Sequence, residues 1–166
     1  VFLEPVQGSG GIIPVSRDFA DAVMKYRKIF KYITVMDEIQ AGLGRTGHVY
    51  SYQNFNLEPD IITAGKALGG GLPLGAAIFL GETSEILKGA DHGSTFAPNP
   101  VALAGGRFLM EHLPELLEDV SKKGLYFKEL LGNITSSKIL EVRGTGLMIG
   151  VVLDKAYPEL KDRAFK

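Results

Sequence analysis

Three clusters in the first hundred residues carry side chains able to do chemistry. Asp37-Glu-Ile-Gln40 offers a carboxylate and an amide, Gly65-Lys66 an amine, and His92-Gly-Ser94-Thr95 two hydroxyls. Lys66 stands where a short apolar run, 61–64, stops. Gly69, Gly70 and Gly71 follow, then Pro73 and Gly75, so backbone rather than side chains must shape the turn. A lysine at a strand end beside a tight turn can be desolvated, and a desolvated amine is a nucleophile and a proton carrier. Each cluster also has a plain reading. An Asp after an apolar strand is commonly a cap, a single Lys is commonly surface, and a Ser-Thr pair before a helix commonly caps it. The combination with the triple glycine favours a small-molecule site.

The elements that must position these groups alternate. Val1-Phe-Leu3 predicts a strand tail that stops at Glu4-Pro5, and 8–11 a loop. Ser16 or Asp18 can cap a helix in which Phe19, Val23, Tyr26 and Phe30 recur at helical spacing. Tyr32 to Met36 then predicts a strand ending in Asp37. Strand, helix, strand over this length is a βαβ unit, with parallel strands buried on both faces. The runs 61–64 and 76–80 predict two further buried strands, and 84–88 a short helix. Asn99-Pro100 is a helix start, and the apolar pattern beyond it reaches about His112. Pro114 predicts a second helix with Leu117, Val120, Phe127 and Leu131 on one face. Glu118, Lys122 and Lys128 would then face water, and Gly124 would sit at a close contact. Ile139 to Arg143 and Leu147 to Leu153 predict an antiparallel pair. The three polar clusters thus fall at or near carboxyl ends of strands, where open parallel sheets place ligands.

Two motif readings fail on context. Gly42-Leu-Gly44-Arg-Thr-Gly47 matches a dinucleotide fingerprint, but 48–55 is poor helix material and the next acid, Asp60, precedes its strand. Gly65-Lys66 is no phosphate loop: Asp60 stands where a glycine is needed and Ala67 where magnesium needs a hydroxyl.

Taken together and in order, several motifs resemble the class III aminotransferases, nearest their acetylornithine/ornithine branch. They are Glu4-Pro-Val-Gln-Gly8, Asp37-Glu-Ile-Gln40, Gly44-Arg-Thr-Gly47, Lys66-Ala-Leu-Gly-Gly-Gly71 with Pro73 and Gly75, His92-Gly-Ser-Thr95 with Asn99-Pro100, and Val142-Arg-Gly-Thr-Gly-Leu-Met148. The resemblance implies an α/β fold, the fold type I of pyridoxal-phosphate enzymes. Residues 1–112 would be a partial large domain with a mostly parallel sheet and flanking helices, and 113–166 the start of an α+β small domain. It implies pyridoxal 5'-phosphate as cofactor and transamination between an ω- or α-amino donor, acetylornithine- or ornithine-like, and a 2-oxo acid such as 2-oxoglutarate. In that family pattern Lys66 forms the internal Schiff base, and its freed amine then moves a proton. Asp37 pairs with the protonated pyridine nitrogen and keeps the ring an electron sink. Gln40 bonds the phenolic oxygen. Ser94 and Thr95 reach the phosphate in the partner's active site, so a cytoplasmic homodimer with a shared site is implied. Glu4 and Arg45 match motif positions and are read as structural. An aminomutase or decarboxylase of the same fold, and a non-catalytic fragment, are the competing readings.

Two positions depart from the pattern. Ser9 replaces the glutamate that pairs with a substrate-binding arginine in the ornithine and 4-aminobutyrate branches, and a hydroxyl cannot neutralise a guanidinium. Ala97-Pro98 replaces a Gly-Gly and stiffens the loop.

Composition sets the outer bounds. A chain of 166 residues with 45% hydrophobic and 22% charged residues is ordinary for a globular domain. A net charge of −1 gives no reason to expect nucleic acid or an anionic membrane. No apolar run approaches the roughly 20 residues that span a bilayer. With no cysteine there are no disulfides or thiolate metal sites. A mid-strand start without Met and a polar helical end predict a piece of a longer protein, and the isolated piece is expected to be a poor enzyme.

Overall fold

The computed structural model describes residues 1–89, 93, 95, 97 and 99–164. Its centre is a four-stranded sheet in the order β1 (Phe2–Leu3), β4 (Val35–Asp37), β5 (Ile61–Ala64) and β6 (Ala76–Phe79). β1, β4 and β5 run parallel, as the strand–helix–strand pattern predicts, and β6 returns antiparallel from the glycine turn. Between β1 and β4 the chain makes a small hairpin, β2 (Val6–Gln7) with β3 (Ile13–Pro14), two strands the sequence reading did not name, and the loop expected at 8–11 is its turn.

α1 (Arg17–Phe30) follows, with the Ser16 hydroxyl accepting from Phe19 N–H at 3.2 Å as its cap. Its inner residues Ala20 and Met24 pack with Met36 and Leu57. Met36 is fully buried at the centre of β4, a contribution of about 2 kcal/mol. A second cluster gathers Val6, Ala41 and Met148, and Phe55 touches both clusters.

Burial on both faces holds for Val35 and Met36 of β4; β5 has one face buried and the other half-buried, and the margins are open. Val35, Met36, Ile62 and Ala64 are buried, but Phe2 is 84% exposed and β6 is open or half-buried along its length. β1 and β6 are the outer strands here, and among the described residues each lacks a neighbour on one side. The fourth strand begins at Val35 rather than Tyr32, because Thr34 is taken up by Asp60 ahead of the ladder. The helix predicted at 84–88 is a 3-10 turn at Gly81–Glu85, tied down by the Thr83 hydroxyl, which lies 2.8 Å from the Asp60 carbonyl.

The largest correction is α2 (Pro100–Gly132). The two helices expected on either side of residue 113 are one continuous helix with Pro114 inside it. Proline removes one N–H and ordinarily breaks or kinks a helix. Here Leu113 and Leu117 seat against Gly44, where a Cβ would stand 2.6 Å from Leu113 Cδ1, and tertiary packing carries the helix through. Asn99 caps its start, its Oδ1 accepting from Val101 and Ala102 N–H at 3.0 and 3.2 Å. Farther along, Phe127 is 47% exposed and Lys128 turns inward, against expectation. The Lys128 ammonium donates to the Gly144 carbonyl at 3.0 Å, which fixes α2 to the final hairpin, β7 (Ile139–Thr145) with β8 (Met148–Leu153). Gly124 does mark close packing: a Cβ there would collide with the Gly146 carbonyl. The described chain closes with α3 (Glu159–Ala164).

Candidate active site

Asp37 ends β4, in register with Thr63 of β5. Its Oδ1 accepts from Ile39 N–H at 3.0 Å, a side-chain turn that bends the chain off the sheet. The bend brings Gln40 to the surface, where its amide lies over Gly8, and any Cβ on Gly8 would collide with it. Gly8 is held in turn by Glu4, whose carboxylate accepts the Gly8 N–H at 3.2 Å, the structural role expected of Glu4.

One strand over, β5 stops at Ala64 and Gly65 is fully extended. Lys66 then takes φ 50°, a left-handed conformation that costs a side-chain-bearing residue about 1 kcal/mol. A 3-10 turn over Lys66–Gly69 follows, and Gly70 and Gly71 carry the chain round at φ 61° and 107°. This turn rests on α2 at a point the sequence reading missed. A Cβ on Gly105 would come within 2.7 Å of the Gly69 carbonyl, and one on Gly106 within 3.0 Å of the Leu68 carbonyl. The signal was available as two adjacent glycines inside an otherwise good helix.

Lys66 and Gln40 meet at a cavity of about 430 Å³. Gly65, Ala67, Ile39, Gly42, Leu43 and Arg45 line it from the sheet side, and Ile12, Leu147, Met148 and Ile149 from the hairpins. The second wall is locked by Arg143, whose Nε and Nη2 donate to the Gly11 carbonyl at 2.9 and 2.7 Å. Arg45 lines the cavity with its side chain exposed, while its carbonyl accepts from Leu147 N–H at 2.9 Å. The literal dinucleotide fingerprint is thus a packing surface. Gly44 meets Leu113, and a Cβ on Gly47 would strike the Ser121 hydroxyl of α2.

Of the five residues singled out beforehand, the fold brings Lys66 and Gln40 to one cavity, with Asp37 at the same sheet edge but not on the cavity wall. Thr95 is exposed in a turn ahead of α2, and Ser94 lies outside the described residues. Ser9 is exposed in the loop between β2 and β3. Glu38, between Asp37 and Gln40, was given no role by the sequence and is fully buried. Its Oε2 accepts from Ser51 N–H and its Oε1 from Tyr52 N–H, both at 2.8 Å. Burial pushes its carboxyl above the ordinary range, and the Ser51 and Tyr52 donors offset only part of that.

Lys66 and Gln40 on the cavity and Asp37 at the same sheet edge put an amine, an amide and a carboxylate at the carboxyl ends of parallel strands, group types that suit an aldehyde-bearing aromatic cofactor. The hydroxyl of Thr63, beside Asp37 in the sheet, is buried with no partner among the described residues. The class of the protein follows from the whole chain. It belongs to the class-III aminotransferases, whose family model matches residues 1–165.

Particular relatives share much of the sequence. The chain is 39% identical to an acetylornithine aminotransferase of Aquifex aeolicus, over all of this chain and 43% of that protein. It is 41% identical to one of Methanocaldococcus jannaschii, over 93% of this chain and 40% of that protein. Among solved structures, the ornithine aminotransferase of Toxoplasma gondii superposes with TM-score 0.85 at 31% identity, covering 92% of this chain and 38% of the other. An N-acetylornithine aminotransferase of Stenotrophomonas maltophilia gives TM-score 0.81 at 35% identity, over 93% and 41%. Another Toxoplasma structure has partial occupancy of PLP at its active site. The chain spans about two fifths of the length of these relatives.

Proposed function

We propose that the protein carrying this chain moves an amino group from an acetylornithine- or ornithine-like donor, or another ω-amino compound, to a 2-oxo acid such as 2-oxoglutarate. It would do so with pyridoxal 5'-phosphate and in ping-pong order. The observation that carries this is the placement of Lys66 and Gln40 on one cavity at the sheet edge where Asp37 ends β4. Bound there, the cofactor supplies an aldehyde that condenses with amines and a protonated ring that accepts electrons.

The chain's own groups divide the remaining work. Lys66 would anchor the aldehyde end, and its amine, once released, would carry a proton to and from the substrate carbon. The Asp37 carboxylate would hold the ring nitrogen protonated, because a nearby anion raises that nitrogen's pKa. Gln40 would donate to the ring's phenolic oxygen. Ile12, Leu43, Leu147 and Met148 add apolar groups to the cavity wall beside Lys66, whose side chain is exposed in this structure rather than desolvated as its place beside the turn suggested.

The reading extends to a homodimer in which Ser94 and Thr95 reach the partner's phosphate, and to a cytoplasmic setting, which a chain without cysteine fits. No helix among the described residues is long and apolar enough to cross a membrane. We further propose a division into a partial cofactor-binding large domain, 1–112, and the start of a small domain, 113–166. The separate β7–β8 sheet supports it, although α2 runs through the division.

Feeding the full-length protein a nitrogen-labelled amino donor and 2-oxoglutarate tests the reaction. Label recovered in glutamate supports transamination. Label returned in an isomer of the donor indicates an aminomutase, and a decarboxylated amine indicates a decarboxylase. Either of the last two overturns the reading.

A further inference from the structure

Glu38 has no part in the chemistry above, yet it is among the most completely enclosed side chains of the described molecule. A buried carboxylate without a cation is expensive, so its partners show what holds it there. Both oxygens are taken by backbone amides that open the 3-10 turn Ser51–Phe55. Its own backbone is engaged as well: Glu38 N–H donates to the Thr63 carbonyl and the Glu38 carbonyl accepts from Gly42 N–H, both at 2.9 Å. The residue therefore staples the end of β4 to the chain thirteen residues on, and closes the intervening loop.

That loop supplies Gly42, Leu43 and Arg45 to the cavity, and Leu43 is held at φ 53°. The stapled turn places Phe55 against both core clusters, so the anchor is itself rigid. On the other side of Gly42 there is no slack, since a Cβ would stand 2.7 Å from the Glu38 carbonyl and 3.1 Å from its Oε2. Two N–H donors need two acceptors. A carboxylate has them, whereas an amide has one acceptor and would set an N–H against an N–H.

We propose that Glu38 is the positioning residue of the site: by gripping the Ser51 and Tyr52 amides it fixes the carboxyl end of β4 and so sets where Asp37 and Gln40 stand. The inference rests on the cofactor reading of that site.

The test uses the full-length protein titrated with pyridoxal 5'-phosphate, as wild type and as Glu38→Gln. The visible band of lysine-bound cofactor and its midpoint against pH are followed in each. The proposal expects Glu38→Gln to fold, to bind the cofactor about tenfold more weakly, and to titrate its band at a displaced pH, because Asp37 no longer stands correctly. Unchanged affinity and midpoint overturn it. So does weaker binding with an unmoved midpoint, which is what a residue serving stability alone would give.

If Glu38→Gln does not fold, the wild type decides. By linkage, a clamp that positions the site must itself be tightened when the site is filled. Hydrogen exchange at the Ser51 and Tyr52 amides should then slow on adding the cofactor, and unchanged exchange overturns the proposal. A wild type with no visible band removes the cofactor reading and this inference together. A wild-type band whose affinity and midpoint are the same in Glu38→Gln removes only the inference.

Discussion

Where β5 begins, Asp60 is held by a guanidinium, a backbone amide and a hydroxyl; where β4 ends, Glu38 is held by two amides, and no cation pairs with it among the described residues. The Asp60 carboxylate accepts from Arg27 Nη2 at 2.5 Å and from Thr34 N–H at 2.7 Å, with the Thr34 hydroxyl 2.9 Å away. Burial pushes the Asp60 carboxyl up, but Arg27 and Thr34 more than offset it and hold it below the ordinary range. At the opposite edge the balance reverses and Glu38 sits above that range. The same edge holds Lys66 and Leu43 at positive φ, with Gln40 and Arg45 lining a cavity. One edge is built to hold the sheet together. The other accepts strain and buried charge to present groups outward, as functional sites commonly do.

Stability measurements on the full-length protein can break that contrast. Asp60→Ala should cost the most, about 2–3 kcal/mol in urea denaturation, because Arg27 and the Thr34 amide lose their acceptor. Glu38→Ala should cost less, about 1–2 kcal/mol, since two buried N–H groups are orphaned while an unfavourable buried charge is removed. Measured on the cofactor-free proteins, so that loss of the anchor does not enter, Lys66→Gly should reverse the sign and gain about 0.5–1 kcal/mol, as glycine relieves the left-handed strain. A loss at Lys66→Gly would mean that this edge is not strained as described.

The pH dependence should separate the two carboxylates by sign. Asp60 has a lowered folded pKa, so its advantage over Asp60→Asn is full above about pH 3.9 and is lost as pH falls through the folded value. Glu38 has a raised folded pKa. Its contribution relative to Glu38→Gln is therefore full below about pH 4.3 and declines as pH rises through the folded value. Denaturation midpoints of the wild type, Asp60→Asn and Glu38→Gln between pH 2 and 8 check both slopes, and slopes of the same sign would contradict the contrast.

Much of the functional edge was legible in the sequence, because it depends on local chemistry. An apolar run that stops at Gly65-Lys66, an Asp at a strand end and Asn99-Pro100 each act within a few residues, and each stands where its type predicts. What escaped depends on contacts between distant segments. Nothing local shows that Glu38 reaches Ser51, that Arg143 grips Gly11, or that Gly105 and Gly106 receive the turn after Lys66. The break expected at Pro114 failed for the same reason, since packing of Leu113 on Gly44 overrides a local preference. Burial of the outer strands was over-read because a run of apolar residues does not tell a central strand from a marginal one.

Lys66 is proposed above as the covalent anchor at the carboxyl edge of the sheet. Adding pyridoxal 5'-phosphate to the full-length protein, reducing with borohydride and mapping the modified peptide tests it directly. One phosphopyridoxyl group is expected on Lys66, absent in Lys66→Ala. A modification on another lysine, or a visible band that persists in Lys66→Ala, would contradict it.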